Sequence, residues 1–96
     1  MPAYLIVDTK IHNPDAYETY KAQARPIAEQ YGGVYRARGG AMDVREGDLW
    51  TPTRLVIIEF PDAAAAQAFL DSPEYAPVAA IRHANATCTS VILEGV

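Results

Sequence analysis

Cysteine is almost missing from this chain: Cys88 is the only one in 96 residues. One thiol cannot close an internal disulfide and does not suggest a zinc site; a buried, inert thiol is the expected state of Cys88. Histidine is scarce too. His12 and His83 each lack a second histidine or carboxylate at ligand spacing, so no metal is expected. Eight Lys and Arg stand against twelve Asp and Glu, for a formal net charge of −4. No basic cluster is interleaved with aromatics, so neither nucleic acid nor anionic lipid is an expected partner. No apolar run approaches the ~20 residues that span a bilayer. Met1-Pro2-Ala3-Tyr4 has no basic segment or long apolar stretch of the signal-peptide kind, so the expected location is the cytoplasm. The paired glycines Gly32-Gly33 and Gly39-Gly40 do not open a helix, as a phosphate-cradling loop must. No cofactor is implied.

What is present is apolar residue in quantity, 50% of the chain. A chain of this length is a single domain, residues 1–96. Folding at that size hides only roughly 60–65% of the surface the open chain exposes. Pairing with a second copy would bury apolar surface that a monomer leaves wet.

The order of elements follows from pattern and punctuation. Ala3 to Ile11 alternates as a strand, with Tyr4, Ile6, Asp8 and Lys10 on one face. Asn13-Pro14-Asp15 opens a helix with a cap and an N1 proline. Tyr17, Tyr20, Ala24, Ile27, Ala28 and Tyr31 then form one apolar stripe. Pro26 deletes a backbone hydrogen bond, so a kink or restart is expected near Arg25. Gly32-Gly33 ends the helix. A second strand, Val34 to Arg38, is expected to bulge at Gly39-Gly40 and resume through Met42 and Val44. Arg54 to Phe60 reads as a central strand, and Ala63 to Leu70 as a second helix. Ser72-Pro73-Glu74 caps a third helical piece running towards His83. A last strand covers about Ala86 to Leu93.

The order β-α-β-β-α-β, with its second helix in two pieces, predicts an α+β ferredoxin-like unit. Such a unit has an antiparallel four-stranded sheet with helices on one face. The other face would carry Ile6, Leu55, Ile57 and Val91, too apolar to face water. A second sheet packed there would make a dimeric α/β barrel.

Several segments also resemble a known family. They are Pro2-Ala3-Tyr4-Leu5-Ile6-Val7; Tyr31-Gly32-Gly33-Val34-Tyr35 with Arg38-Gly39-Gly40; and Glu46-Gly47 to Trp50 with Pro52 and Arg54. Ile58-Glu59-Phe60-Pro61 and Ser72-Pro73-Glu74-Tyr75 complete the set. Together they resemble the domain-of-unknown-function 1330 family over essentially the whole chain. The resemblance implies the fold of the dimeric α/β-barrel group, which also includes antibiotic-biosynthesis-type monooxygenases and muconolactone isomerases. It brings no catalytic residue with it, and fold does not settle function.

Asp8 and Glu59 are the catalytic candidates. With the first and third strands taken as parallel neighbours, both carboxylates fall at one end of the bare face, where one pKa would rise. Arg36 and Arg38, taken to share a face of the second strand, would bring Arg38 near Glu59. One reading is a polar pocket inside the barrel, where Arg38 holds an anionic or carbonyl group and a carboxylate moves a proton. The other is a compensated ion network that sets register in a buried interface. Tyr4, Arg36, Arg38 and Trp50 are the candidate ligand-binding residues, with Tyr20 and Tyr35 as further aromatics; Tyr20 fits a core position better. Three functions remain open: a homodimer with a small-molecule pocket on the sheet face, a cofactor-independent monooxygenase-like or isomerase-like enzyme, and a purely structural dimerisation module.

Overall fold

The structure, a computed structural model, describes all residues from Met1 to Val96. Strand β1 (Ala3–Ile11) leads into helix α1 (Pro14–Gln30), then β2 (Val34–Arg38) and β3 (Leu55–Phe60). Helices α2 (Ala63–Asp71) and α3 (Ala76–Asn85) follow, and β4 (Ala86–Glu94) ends the fold. The sheet order is β2-β3-β1-β4, and every pairing is antiparallel. This is the expected ferredoxin-like arrangement.

Capping sets the helix starts. Asn13 accepts from the Ala16 N–H at 3.2 Å, and Asp62 accepts from the Ala65 N–H at 2.8 Å. Ser72 receives the Tyr75 N–H at 3.2 Å and so turns α2 into the start of α3. Pro26 sits inside α1, yet the helix runs on as one element and does not restart at Arg25. Ala22, whose carbonyl loses its N–H partner at Pro26, lies on the exposed side, where water can take that bond. Gly32 closes the helix with φ +89°, a left-handed conformation suited to glycine.

The core lies between the sheet and the helices. Leu5 and Val7 of β1 and Val56, Ile58 and Phe60 of β3 pack against Ala24, Ala28, Ala66, Phe69, Tyr75 and Val78. Alternation leaves Tyr4, Ile6, Asp8, Leu55, Ile57 and Glu59 half-exposed on the opposite face. The molecule's shortest dimension is 18 Å, the thickness of one sheet and one helix layer. No second layer of the chain therefore covers that face, and Val91 and Leu93 are 51% and 56% exposed on it.

Three expectations about register need correction. The first and third strands are adjacent but antiparallel: the α1 crossover returns the chain parallel to β1, and β3 then reverses it. Asp8 pairs with Leu55 while Glu59 pairs with Tyr4, so the two carboxylates stand at opposite ends of the open face. Four residues of strand separate them, roughly 13 Å. Second, β2 ends at Arg38 and does not resume through Met42 and Val44; residues 39–54 form a long connection. Third, the bulge lies at Arg36 and not at the glycines, since Tyr35 faces Ile58 and Ala37 faces Ile57. That extra residue changes the phase of the strand. Arg36 stays on the open face with Glu59, and Arg38, opposite Val56, turns to the helical side.

Candidate functional site

The open face carries two polar clusters, one at each end. At one end the Arg36 Nε donates to Glu59 Oε1 at 3.1 Å, beside Tyr4. At the other, Asp8 accepts three hydrogen bonds. The backbone N–H groups of Thr53 and Arg54 reach Oδ1 at 2.8 and 2.9 Å, and Trp50 Nε1 reaches Oδ2 at 2.8 Å. Partial burial works to raise the Asp8 pKa, but the hydrogen bonds from Arg54, Trp50 and Thr53 win and hold it below the usual carboxylate value. Asp8 is thus the anchor of the β2–β3 connection and spends its lone pairs there. The bond also holds Trp50 over Ile6, Leu55, Thr89 and Val91, forming a shallow apolar basin.

A partly open cavity lies on the other side of the sheet, between β1, β3 and the helices. Its apolar walls are Leu5, Val7, Val56, Ile58 and Phe69, and four tyrosines, Tyr17, Tyr20, Tyr35 and Tyr75, surround it. Its free volume is small, about 30 Å³. The Tyr20 and Tyr75 hydroxyls lie 2.7 Å apart and bond to each other. Burial raises the pKa of Tyr17 and Tyr20, and lifts that of Tyr35 to about 12 despite the nearby Arg38.

The charged residues of this cavity are all cations: Lys21, Arg38, Arg54 and Arg82. Half of the eight Lys and Arg in a net-negative chain therefore gather at one cavity, while none of its twelve acids lines it. Arg38 lies over the Tyr35 ring at 5.6 Å and Arg54 over Tyr17 at 5.8 Å, in cation–π contact. Gly39, with φ +69°, gives Arg54 its path, since a Cβ there would come within 2.7 Å of Nε.

Of the four leading ligand-binding candidates, Arg38 alone lines this cavity; Tyr4, Arg36 and Trp50 belong to the open face. Tyr20 and Tyr35 line it as well. Lys21, Arg54 and Arg82 are not evident as ligand residues in the sequence, although Arg82 leaves a signal there. It continues the apolar stripe of Tyr75, Val78 and Ala79 at helical spacing, a charge where a core residue belongs. His12 Nε2 sits 2.7 Å from the Thr87 hydroxyl, and no group of three or more His, Cys, Asp or Glu is placed to hold a metal. Cys88, half-buried, donates weakly to Thr9 Oγ1 at 3.6 Å. No helix is long and apolar enough to cross a membrane.

The model of the family called Domain of unknown function (DUF1330) matches residues 2–96. No curated protein matches significantly. Among solved structures, RPA0582, a protein of unknown function from Rhodopseudomonas palustris, is similar at 20% identity and TM-score 0.76, over 99% of this chain and 82% of that one. A dimeric ferredoxin-like protein of unknown function from Jannaschia sp. CCS1 has 19% identity and TM-score 0.76, over 99% and 100%. SnoaB, a cofactor-independent oxygenase from Streptomyces nogalater, has 14% identity and TM-score 0.73, over 99% and 93%. At these identities the likeness is one of fold.

Proposed function

The chain belongs to the DUF1330 family, and we propose that it is a homodimer, joined through its open sheet faces, in which the helix–sheet cavity of each protomer binds a small organic molecule. The observation that carries the binding reading is the cavity itself. A thin core in a domain of this size is ordinarily close-packed, yet here four tyrosines and four cations surround unfilled space. A filled dimerisation module would have no use for it.

The homodimer is supported by the bare apolar strip of Ile6, Ile57, Val91 and Leu93, and by the dimeric state of the ferredoxin-like protein from Jannaschia. In that arrangement Tyr4, Arg36 and Glu59, and Asp8 with Trp50, act in the interface between copies. Arg38, with Tyr20 and Tyr35, serves the cavity. Chemistry in the cavity by proton transfer is less well supported. The phenols of Tyr17, Tyr20 and Tyr35 are pushed up by burial, and neither carboxylate nor imidazole lines the cavity.

Two measurements test this. Sedimentation equilibrium at micromolar concentration should report a dimer, and a stable monomer would refute the pairing. Amide chemical shifts, followed while monocyclic aromatic compounds are titrated in, should move at Ala24, Tyr35 and Val56. Movement confined to Ile6, Thr89 and Val91 would place the ligand between the sheets and refute the cavity.

A further inference from the structure

We propose that the cavity's ligand is a small organic anion, a carboxylate on one ring or a short apolar chain, received by the buried guanidinium of Arg82. This rests on the cavity being the binding site. Arg82 lines the cavity and is only 8% exposed. Its Nη2 lies 3.2 Å from His83 Nε2, and its buried Nε has no hydrogen-bond partner at all. The ion pairs of the chain are Lys21–Glu18, Arg25–Glu29, Arg36–Glu59 and Arg45–Asp43. Arg38, Arg54 and Arg82 thus face the same cavity without a single carboxylate within ion-pair distance.

A guanidinium withdrawn from water with a free N–H is expensive unless an anion meets it. The protein supplies none, and a ligand carboxylate would complete the site. Arg is suited to the task, because its planar fork matches the two oxygens of a carboxylate. The Tyr20–Tyr75 hydroxyl pair lines the same cavity and leaves one O–H free to donate. The apolar remainder of the ligand would lie against Phe69, Tyr17 and Tyr75, which favours a ring. Size sets the upper limit: the free volume is only about 30 Å³, so the cavity takes the carboxylate and a ligand's apolar body lies towards its mouth, which excludes a bulky polycyclic one. A singly charged carboxylate also costs less to bring out of water than a phosphate dianion. Lys21 and Arg38 line both the cavity and the outer groove beside α1; Lys21 is held there by Glu18, so Arg38 is the cation an entering anion would meet.

Calorimetric titration of the full chain with benzoate, with its neutral isostere benzamide and with inorganic phosphate tests the proposal. A charge-assisted hydrogen bond in this setting predicts benzoate binding roughly 10–100-fold more tightly than benzamide. Arg82→Met should abolish that preference, benzoate losing roughly 10–100-fold more affinity than benzamide, which a merely structural role for Arg82 would not do. The wild-type protein offers an independent readout without substitution, useful should that variant fail to fold: the Arg82 Nε–H resonance should move with benzoate and stay with benzamide. Equal affinity for the two compounds, or an unmoved Nε–H, would overturn the anion while the cavity stands. Phosphate binding as tightly as benzoate would overturn the organic carboxylate. Silence from all three would overturn the cavity reading as well.

Discussion

Replacing Asp8 should loosen the connection between β2 and β3 more than any other single surface change. Its carboxylate holds that segment by three contacts: two backbone N–H groups on Oδ1 and the Trp50 indole on Oδ2. A hydrogen bond to a charged acceptor contributes about 1.5–3 kcal/mol when shielded, and about 1 kcal/mol in a site half-open to water such as this one. Asp8→Ala removes all three and should cost about 2–3 kcal/mol. Asp8→Asn separates them, because its carbonyl still accepts from Thr53 and Arg54 while its amide cannot accept from the indole. That variant should cost about 1 kcal/mol. Trp50 is the only tryptophan, so urea unfolding followed by its fluorescence reads both the stability and the local release. The pH dependence has a definite sign. The folded-state pKa of Asp8 is held below its ordinary 3.8, so its contribution is complete above about that pH and is lost as pH falls through the lower folded value. The gap between wild type and Asp8→Asn should therefore close in acid. A loss under ~0.5 kcal/mol for Asp8→Ala, with unchanged Trp50 emission, would refute the anchor.

Pro26→Ala should stabilise the protein by about 1–3 kcal/mol, as measured by thermal unfolding, since it restores a donor to the exposed Ala22 carbonyl inside α1. Tyr20→Phe should cost about 0.5–1.5 kcal/mol by the same assay, because it leaves the Tyr75 hydroxyl without its 2.7 Å partner. In alkali the buried phenols work against the fold. Tyr35 ionises at 10 when unfolded and at about 12 when folded. The stability linked to its neutral form is whole below pH 10 and is lost as pH rises towards 12. Ultraviolet absorbance of tyrosinate, recorded with circular dichroism, should show that ionisation and unfolding arrive together.

The order of the elements was legible in the residues, although the second strand stops short of Met42 and Val44. Asn13, Asp62 and Ser72 mark helix starts by chemistry that is local, a side-chain oxygen facing N–H groups a few residues away. Strict alternation through β1 assigned Leu5 and Val7 to one side and Tyr4, Ile6 and Asp8 to the other, so the bare apolar face was legible too. The family resemblance rested on the same local segments.

The site was decided elsewhere. Asp8 and Glu59 share a face as alternation requires, but strand direction, a property of the whole topology, sends them to opposite ends of it. One bulged residue, Arg36, reverses the facing of Arg38 and delivers it to the cavity. Nothing in the residues around 36 announces such a bulge, because it is set by how β2 meets β3. Arg82 looks like a stray charge on an apolar stripe until α3 packs against the sheet beside Arg38 and Arg54. Local rules govern which atoms a residue can reach within a few positions of itself. Which cations meet across a core depends on contacts between segments far apart in the chain, and those exist only once it has folded.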